Sequence, residues 1–437
     1  MWRKKQQVLL VEDANFFAKI VANEVERSGP YSVRIARNYR EAVEALNDTE
    51  YRPFLALVDV TLPDANDGEI VDLMRSHDLP TIVFSGRFDC HTRQKILDRG
   101  VVDYILKDSP ASLSYLGDLV GRIDRNRKTT VLVVDDSLTD LAIIKERLSR
   151  YCLKVLLAST AQEALDTLAI HPEIRMMILD HGLPDKSGFE TLSIVRRTRS
   201  MKDLCVIGIS ATPSAALTAK FLKCGASDFI AKSCSPEELI LRISQSLNQL
   251  DRIHELTELA NKDPLTDMFN RRYLHEYQEQ EHLRLKIEGR TTRYAIIDID
   301  HFKQINDQHG HELGDFLIVT LAAELKALLP KNAIAVRLGG DEFCVILPDY
   351  DAQTCELFLN KLRRALKSSL AVKKDILFTP TISVGVSTGS EASLLAGLRE
   401  ADTCLYQAKQ QGRNKVIIGP SSKQTSKESF FVQSPYE

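Results

Sequence analysis

A chain of 437 residues exceeds one ordinary domain, and its length suggests roughly two to four. Hydrophobic residues at 44% and charged residues at 27% describe globular protein, while a net charge of −3 excludes a general attraction to nucleic acid or anionic membrane. The 8 cysteines form no CxxC pairs and read as small buried hydrophobes in a reducing compartment, excluding a disulfide framework or zinc site. The basic start Met1-Trp2-Arg3-Lys4-Lys5 precedes an apolar run of only Val8 to Val11, too short for a signal peptide. No stretch approaches the roughly 20 apolar residues of a membrane span, so a cytoplasmic protein is expected.

In chain order, the first feature is an apolar run, Val8 to Val11, ending in Glu12-Asp13. An amphipathic segment at Arg40 to Leu46 follows, then Leu57-Val58-Asp59, Val83-Phe84-Ser85 and Tyr104-Ile105-Leu106-Lys107. The pattern then returns as Val131 to Val134 with Asp135-Asp136, an amphipathic Ala161 to Leu168, Ile178-Leu179-Asp180, Gly208-Ile209-Ser210 and Phe229-Ile230-Ala231-Lys232. The offset is 123 residues from Asp13 to Asp136 and 125 from Lys107 to Lys232, the period of a duplicated domain and not of a solenoid. Apolar runs alternating with amphipathic segments predict βα units, with a parallel sheet buried on both faces. In such sheets ligand groups gather at the carboxyl ends of strands, where these runs place Asp, Ser and Lys.

Leu239, Ile243, Leu247, Leu250, Ile253, Leu256 and Leu259 recur at spacings of four and three, which predicts one long helix. It suits a dimer seam or signalling linker, although packing on its own domain alone would give the same pattern. A third domain begins near Asp263. Its strands are expected at Tyr294 to Ile299, Ala333 to Leu338, Phe343 to Leu347 and Thr381 to Ser387, and its helices at Glu312 to Leu329, Ala352 to Leu370 and Leu394 to Gln411. The Ser-rich polar tail from Pro420 is expected to be disordered. The domains are therefore 6–124, 129–250, a helical linker 251–262, 263–419 and the tail 420–437.

In each repeat an acidic pair beside a third carboxylate can hold Mg²⁺, a hard ion that takes oxygen ligands. The isolated Asp can then attack a phosphoryl group, and a hydroxyl and a Lys can bind its oxygens. These residues resemble the receiver domains of two-component response regulators, which have a flavodoxin-like doubly wound parallel sheet. The resemblance implies Asp59 and Asp180 as phosphoacceptors, with one Mg²⁺ per receiver held by Glu12 and Asp13 or by Asp135 and Asp136. Ser85 with Lys107, and Ser210 with Lys232, would sense the phosphate. The turns Leu62-Pro63-Asp64 and Leu183-Pro184-Asp185 add to the match, whereas Asp108 and Ser233 stand where the family usually has Pro after the Lys.

In the third domain Asp298-Ile299-Asp300-His301-Phe302-Lys303 ends an apolar strand, and Arg337-Leu338-Gly339-Gly340-Asp341-Glu342-Phe343 joins two more. Gly-Gly before Asp reads as a hairpin turn that a ligand can approach closely. Carboxylates from the strand end and the hairpin could share divalent ions and support in-line attack of a hydroxyl on phosphorus. With Asp263-Pro264-Leu265-Thr266-Asp267, Asn270-Arg271-Arg272 and Ala408 to Asn414, these residues resemble the GGDEF domain of diguanylate cyclases, a nucleotidyl-cyclase-like α/β palm.

That resemblance assigns Asp298, the Ile299 carbonyl and Asp341 to two Mg²⁺ ions, and Glu342 to deprotonation of the 3′-hydroxyl. Lys303, Lys409 and Arg413 would hold the triphosphate over Gly339 and Gly340, with Arg337 a further candidate for the reacting phosphate or for a salt bridge. Asn306 and Asp315 would read guanine, since a carboxylate accepts from N1–H and the 2-amino group but faces acceptors on adenine. His301, His309 and His311 form no metal triad, and Phe343 and Cys344 read as core. The family's product-inhibition RxxD is replaced by Pro330-Lys331-Asn332-Ala333, so no feedback by that route is expected.

The expected whole is a response regulator that condenses two GTP into cyclic di-GMP as a homodimer. Its partners would be GTP and a sensor histidine kinase or phosphotransfer protein, with neither nucleic acid nor membrane. A nucleotide-binding interaction module and a phosphate-relay adaptor are the alternatives. A transcription factor is disfavoured because no basic recognition helix follows the receivers.

Overall fold

The computed structural model describes residues 5–65, 68–86, 90–276, 289–371, 380–389 and 393–419; the tail from Pro420, expected to be disordered, lies outside them. The chain divides into two compact units, Met1–His254 and Glu255–Glu437.

The first half of the first unit alternates strands and helices: β1 (Gln6–Val11), α1 (Asn15–Ser28), β2 (Tyr31–Ala36), α2 (Tyr39–Asn47), β3 (Pro53–Val58), α3 (Glu69–Ser76), β4 (Thr81–Ser85), α4 (Cys90–Asp98), β5 (Asp103–Leu106) and α5 (Pro110–Asn126). The five strands are parallel in the order β2-β1-β3-β4-β5. Successive residues of β1 serve opposite cores: Leu9 and Val11 pack on one face with Val58, while Val8 and Leu10 pack on the other with Leu57. This explains the unbroken apolar runs, because a strand covered by helices on both sides has no polar face.

The second half repeats the plan with β6 (Thr130–Val134), α6 (Leu138–Arg150), β7 (Lys154–Ala158), α7 (Ala161–Ile170), β8 (Ile174–Asp180), α8 (Gly188–Thr198), β9 (Cys205–Ser210), α9 (Ala215–Lys223), β10 (Asp228–Ala231) and α10 (Pro236–Ala260). Its sheet runs β10-β9-β8-β6-β7. The Leu-Pro-Asp turns have a helix-capping use. Asp64 accepts from Tyr39 N and Arg40 N at 2.8 and 3.1 Å, and Asp185 does the same for Ala161 N and Gln162 N, both at 2.9 Å.

One ionic cluster joins the halves. Asp251 on α10 receives Arg122 of α5 at 2.7 Å, Arg125 at 3.1 Å and Arg175 of β8 at 2.7 Å. The long helix expected from Leu239 to Leu259 is continuous over Pro236–Ala260. Leu239, Ile243, Leu247 and Leu250 enter the core of the second half, whereas Leu256 and Leu259 are exposed.

The second unit holds a mixed sheet of β11 (Phe269–Asn270), β12 (Thr292–Ile299), β13 (Ile334–Gly339), β14 (Glu342–Pro348), β15 (Ile382–Val386) and β16 (Val416–Ile418), ordered β11-β13-β14-β12-β15-β16. Central β12 runs antiparallel to both β14 and β15. Its helices are α11 (Phe302–His309), α12 (His311–Leu328), α13 (Ala352–Ala371) and α14 (Leu394–Gln410). Three of these match the expected spans, and α11 was not anticipated. Phe343 and Cys344 are buried core residues, as expected. Among the described residues no helix is long and apolar enough to cross a membrane.

Candidate functional site

The repeat brings two acidic sites to the carboxyl ends of the parallel strands, at the switch point between the first and third strand of each sheet. In the first, Lys107 Nζ lies 2.5 Å from both Glu12 Oε2 and Asp59 Oδ2. Asp59 Oδ1 also accepts from Ser85 Oγ and Thr61 N, each at 3.0 Å. Four of the five expected residues are therefore joined at one strand edge, and the fifth, Asp13, is exposed beside them. Burial raises the Glu12 carboxyl above its ordinary range, against the pull of Lys107.

The second site is looser. Lys232 Nζ is shared among Asp135 at 2.6 Å, Asp140 at 3.1 Å and Asp180 at 3.1 Å. Ser210 Oγ accepts from Thr212 N at 3.2 Å. One carboxylate oxygen from each of Asp135, Asp136 and Asp180 falls within 4.8 Å of the others, and no other such group occurs among the described residues. Asp135 is fully buried, and burial raises its carboxyl above the ordinary range against the pull of Lys232. Three carboxylate oxygens this close together fit a hard divalent cation.

Asp140 escaped the sequence reading. Its residue type gave it away least: Ser137 caps α6 through Asp140 N, so Ser-x-x-Asp looks like a helix start and nothing more.

In the second unit the register of the sheet builds the site. Asp298, near the end of β12, pairs with Glu342 at the start of β14 on one side and with Ser383 of β15 on the other. The β13–β14 turn has φ 146° at Gly339 and 53° at Gly340, conformations that side-chain-bearing residues rarely adopt, and it presents Asp341 and Glu342. Lys409 of α14 meets Asp298 Oδ2 at 2.6 Å. Burial first and the charge of Asp298 second push Asp341 up to about 6, and the same two causes raise Glu342. Burial also raises Asp298 itself. Carboxylates held toward their neutral forms by burial and mutual repulsion fit a site that a divalent cation completes.

The other expected residues stand around this cluster. Lys303 and Asn306 lie on α11, Asp315 on α12, Ile299 at the end of β12, and Arg413 after α14. Lys303, Asp315 and Arg413 are exposed, as a ligand-facing group must be before its ligand arrives. Asn306 Oδ1 is buried without a hydrogen-bond partner, and a Cβ on Gly314 would come within 2.0 Å of it.

Arg337 serves the protein itself. Its Nη1 grips both oxygens of Asp263 at 2.9 and 3.0 Å, while Nε and Nη2 donate to the Gly340 carbonyl at 3.1 and 2.8 Å. Of the two uses considered from sequence, the structure places its guanidinium in the salt bridge that fixes the turn.

Asp300 was read without a role. It is buried and accepts from Thr381 Oγ1 and Ser383 Oγ, both at 2.6 Å, and from Asn414 N at 3.0 Å, tying down the loop that carries Arg413. His301 occupies the N-cap position of α11 with φ 61°, in keeping with a loop or cap residue.

Residues 8–114 and 131–244 match the response regulator receiver domain family, and residues 260–415 match the diguanylate cyclase GGDEF domain family. Over 259 residues the chain is 30% identical to response regulator PleD of Caulobacter vibrioides, with 56% of each chain covered. It is 36% identical over 168 residues to diguanylate cyclase DgcP of Pseudomonas aeruginosa, covering 38% of this chain and 25% of that one. The chain thus spans about half the length of PleD and a quarter of DgcP. A solved two-component response regulator/GGDEF domain protein aligns with TM-score 0.53 at 35% identity, over 56% of this chain and 100% of its own.

Proposed function

The chain belongs to the response regulator receiver family and carries a GGDEF domain, and from that premise we propose that it is a diguanylate cyclase under receiver control. The reaction joins two GTP into cyclic di-GMP and releases two diphosphates. The observation that carries this reading is the convergence of Asp298, Asp341, Glu342 and Lys409 where β12, the Gly339-Gly340 turn and α14 meet.

Asp298, Asp341 and the Ile299 carbonyl would hold Mg²⁺, which supplies Lewis-acid polarisation of the phosphate when bound. The chain's own groups do the rest. Glu342 accepts the proton of the attacking 3′-hydroxyl, a task suited to a carboxyl whose proton affinity is raised. Lys303, Lys409 and Arg413 bind the triphosphate and neutralise charge as diphosphate leaves. Asn306, through its side-chain amide, and Asp315, through an exposed carboxylate, would read the edge of guanine.

Each domain offers one GTP site, whereas the product needs two bonds formed in opposite senses. A two-fold homodimer with facing sites lets each GTP give its 3′-hydroxyl to the other's α-phosphate. Phosphorylation of a receiver by a sensor histidine kinase or phosphotransfer protein would favour that dimer, and the helix Pro236–Ala260 is the continuous element that leaves the second receiver.

The test is cyclic di-GMP formation by purified full-length protein from GTP and Mg²⁺, with and without beryllofluoride, which mimics an aspartyl phosphate. Product that rises with beryllofluoride supports both the cyclase and its control. One unchanged rate removes the control, and no product from folded protein removes the cyclase.

A further inference from the structure

The two receiver sites share their residue types but differ in where the lysine stands. In the first, the Lys107 side chain is 4% exposed and bridges Glu12 and Asp59, whose side chains are 2% and 10% exposed. The rings of Phe17 and Phe84 enclose its ammonium, with centroids 5.4 and 5.7 Å away. Both oxygens of Asp59 are engaged, one by Lys107 and the other by Ser85 and Thr61. A buried lysine paired with two carboxylates is hard to displace, because breaking the bridge leaves buried charge uncompensated.

The second site has Asp140 where the first has Phe17, each four residues after the second acid of its pair. Asp140 takes a share of Lys232, which is 19% exposed and stands 3.1 Å from Asp180. Three carboxylates then share one lysine, with Asp135 Oδ2 at 2.6 Å and Asp140 and Asp180 each at 3.1 Å from its ammonium. The carboxylate trio that converges within 4.8 Å is in this receiver and, among the described residues, in no other place.

We propose that Asp180 of the second receiver is the preferred phosphoacceptor of this chain, and that the Glu12–Lys107–Asp59 bridge holds the first receiver back. The inference rests on reading both receivers as phosphoacceptors and adds which one is charged first. In the reaction an Asp180 carboxylate oxygen attacks the phosphorus of a phosphoramidate-type donor such as phosphohistidine. The O–P bond forms, the P–N bond breaks, and the nitrogen leaves with the electron pair and takes up a proton. Asp140 acts as a positioning residue by drawing Lys232 partly away from the carboxylates that must hold the cation.

Full-length protein is incubated with phosphoramidate and Mg²⁺, and samples taken over time are reduced with borohydride, which turns an aspartyl phosphate into homoserine. Peptide mass spectrometry then reads conversion at positions 59 and 180. The expected result is earlier conversion at 180, at a rate at least several-fold above that at 59. Asp140→Phe is expected to slow conversion at 180, and Phe17→Asp to speed it at 59, each several-fold.

Equal rates, or faster conversion at 59, would overturn the inference while leaving the receivers as phosphoacceptors. Conversion at neither position would overturn that underlying reading and the inference with it. Because the wild-type chain supplies the primary comparison, a variant that fails to fold does not remove the test.

Discussion

Replacing Asp341 with Asn is expected to stabilise the ligand-free third domain at neutral and alkaline pH while abolishing cyclase activity. Burial and the neighbouring Asp298 raise the Asp341 value from 3.8 to about 6. At about 1.4 kcal/mol per unit, that displacement is worth at most about 3 kcal/mol. The side chain is partly exposed, and solvent screening brings the expected gain to about 1–2 kcal/mol.

The direction follows from which state holds the proton more tightly. The unfolded carboxyl ionises near its ordinary value, whereas the folded one keeps its proton to about 6. Stability from this group is therefore fully present below the ordinary value and is lost as pH rises through about 6. Asp341→Asn cannot suffer that loss, so its advantage is absent in acid and complete above about pH 6.

Hydrogen exchange read on peptides from residues 292–348, corrected for intrinsic rates and without Mg²⁺ or GTP, isolates this part of the chain. At pH 8 protection should rise about 5- to 30-fold over wild type. Addition of Mg²⁺ should protect wild type and leave the variant little changed, since a cation favours the ionised carboxyl. Equal protection at pH 8, or a gain confined to acid, would refute the account of Asp341 as a strained carboxylate.

Arg337→Lys loses the fork that spans Asp263 and the Gly340 carbonyl, and should lower kcat about tenfold, equivalent to about 1.4 kcal/mol in the barrier; an unchanged kcat would show that the turn holds without it. Gly314→Ala sets a Cβ against Asn306 Oδ1 and should raise the KM for GTP strongly; unchanged KM would separate Asn306 from the guanine site. Asp251→Asn leaves Arg122, whose side chain is 3% exposed, without its ionic partner, and should destabilise the receiver unit by about 3 kcal/mol in urea melts; a loss below about 1 kcal/mol would mean that Asn248 suffices.

The sites most legible in the sequence are those where a local pattern fixes a side chain's direction. A strand buried on both faces stays apolar through its middle and meets its polar residues at its ends, so Glu12, Asp59, Lys107 and their repeats could be placed at one edge from spacing alone. The hairpin at Gly339-Gly340 was legible for a related reason, as φ values of 146° and 53° nearly require glycine. Helix α11 was not, because its eight residues bury only Ile305 and follow an N-cap, His301, that makes no side-chain capping bond, so neither period nor capping signal marks it. The roles of Arg337 and Asp300 were hidden differently. Their partners Asp263 and Asn414 lie 74 and 114 residues away, and no short-range pattern encodes such pairings.

What separates three acidic sites of similar composition is the reach of one lysine in each. Lys107 spans both carboxylates of the first receiver and Lys232 is divided among three in the second. Lys409 meets Asp298, while Asp341 and Glu342 remain raised by burial and by Asp298. Unmet negative charge is therefore least in the first receiver, greater in the second and concentrated on two adjacent residues in the cyclase domain. A desolvated carboxylate left without a cation costs stability until a ligand arrives, even when only partly buried, so the same ranking orders how strongly each site should respond to one. On that ordering the first receiver is the quiet member of the chain, although its residues are as complete as those of the second.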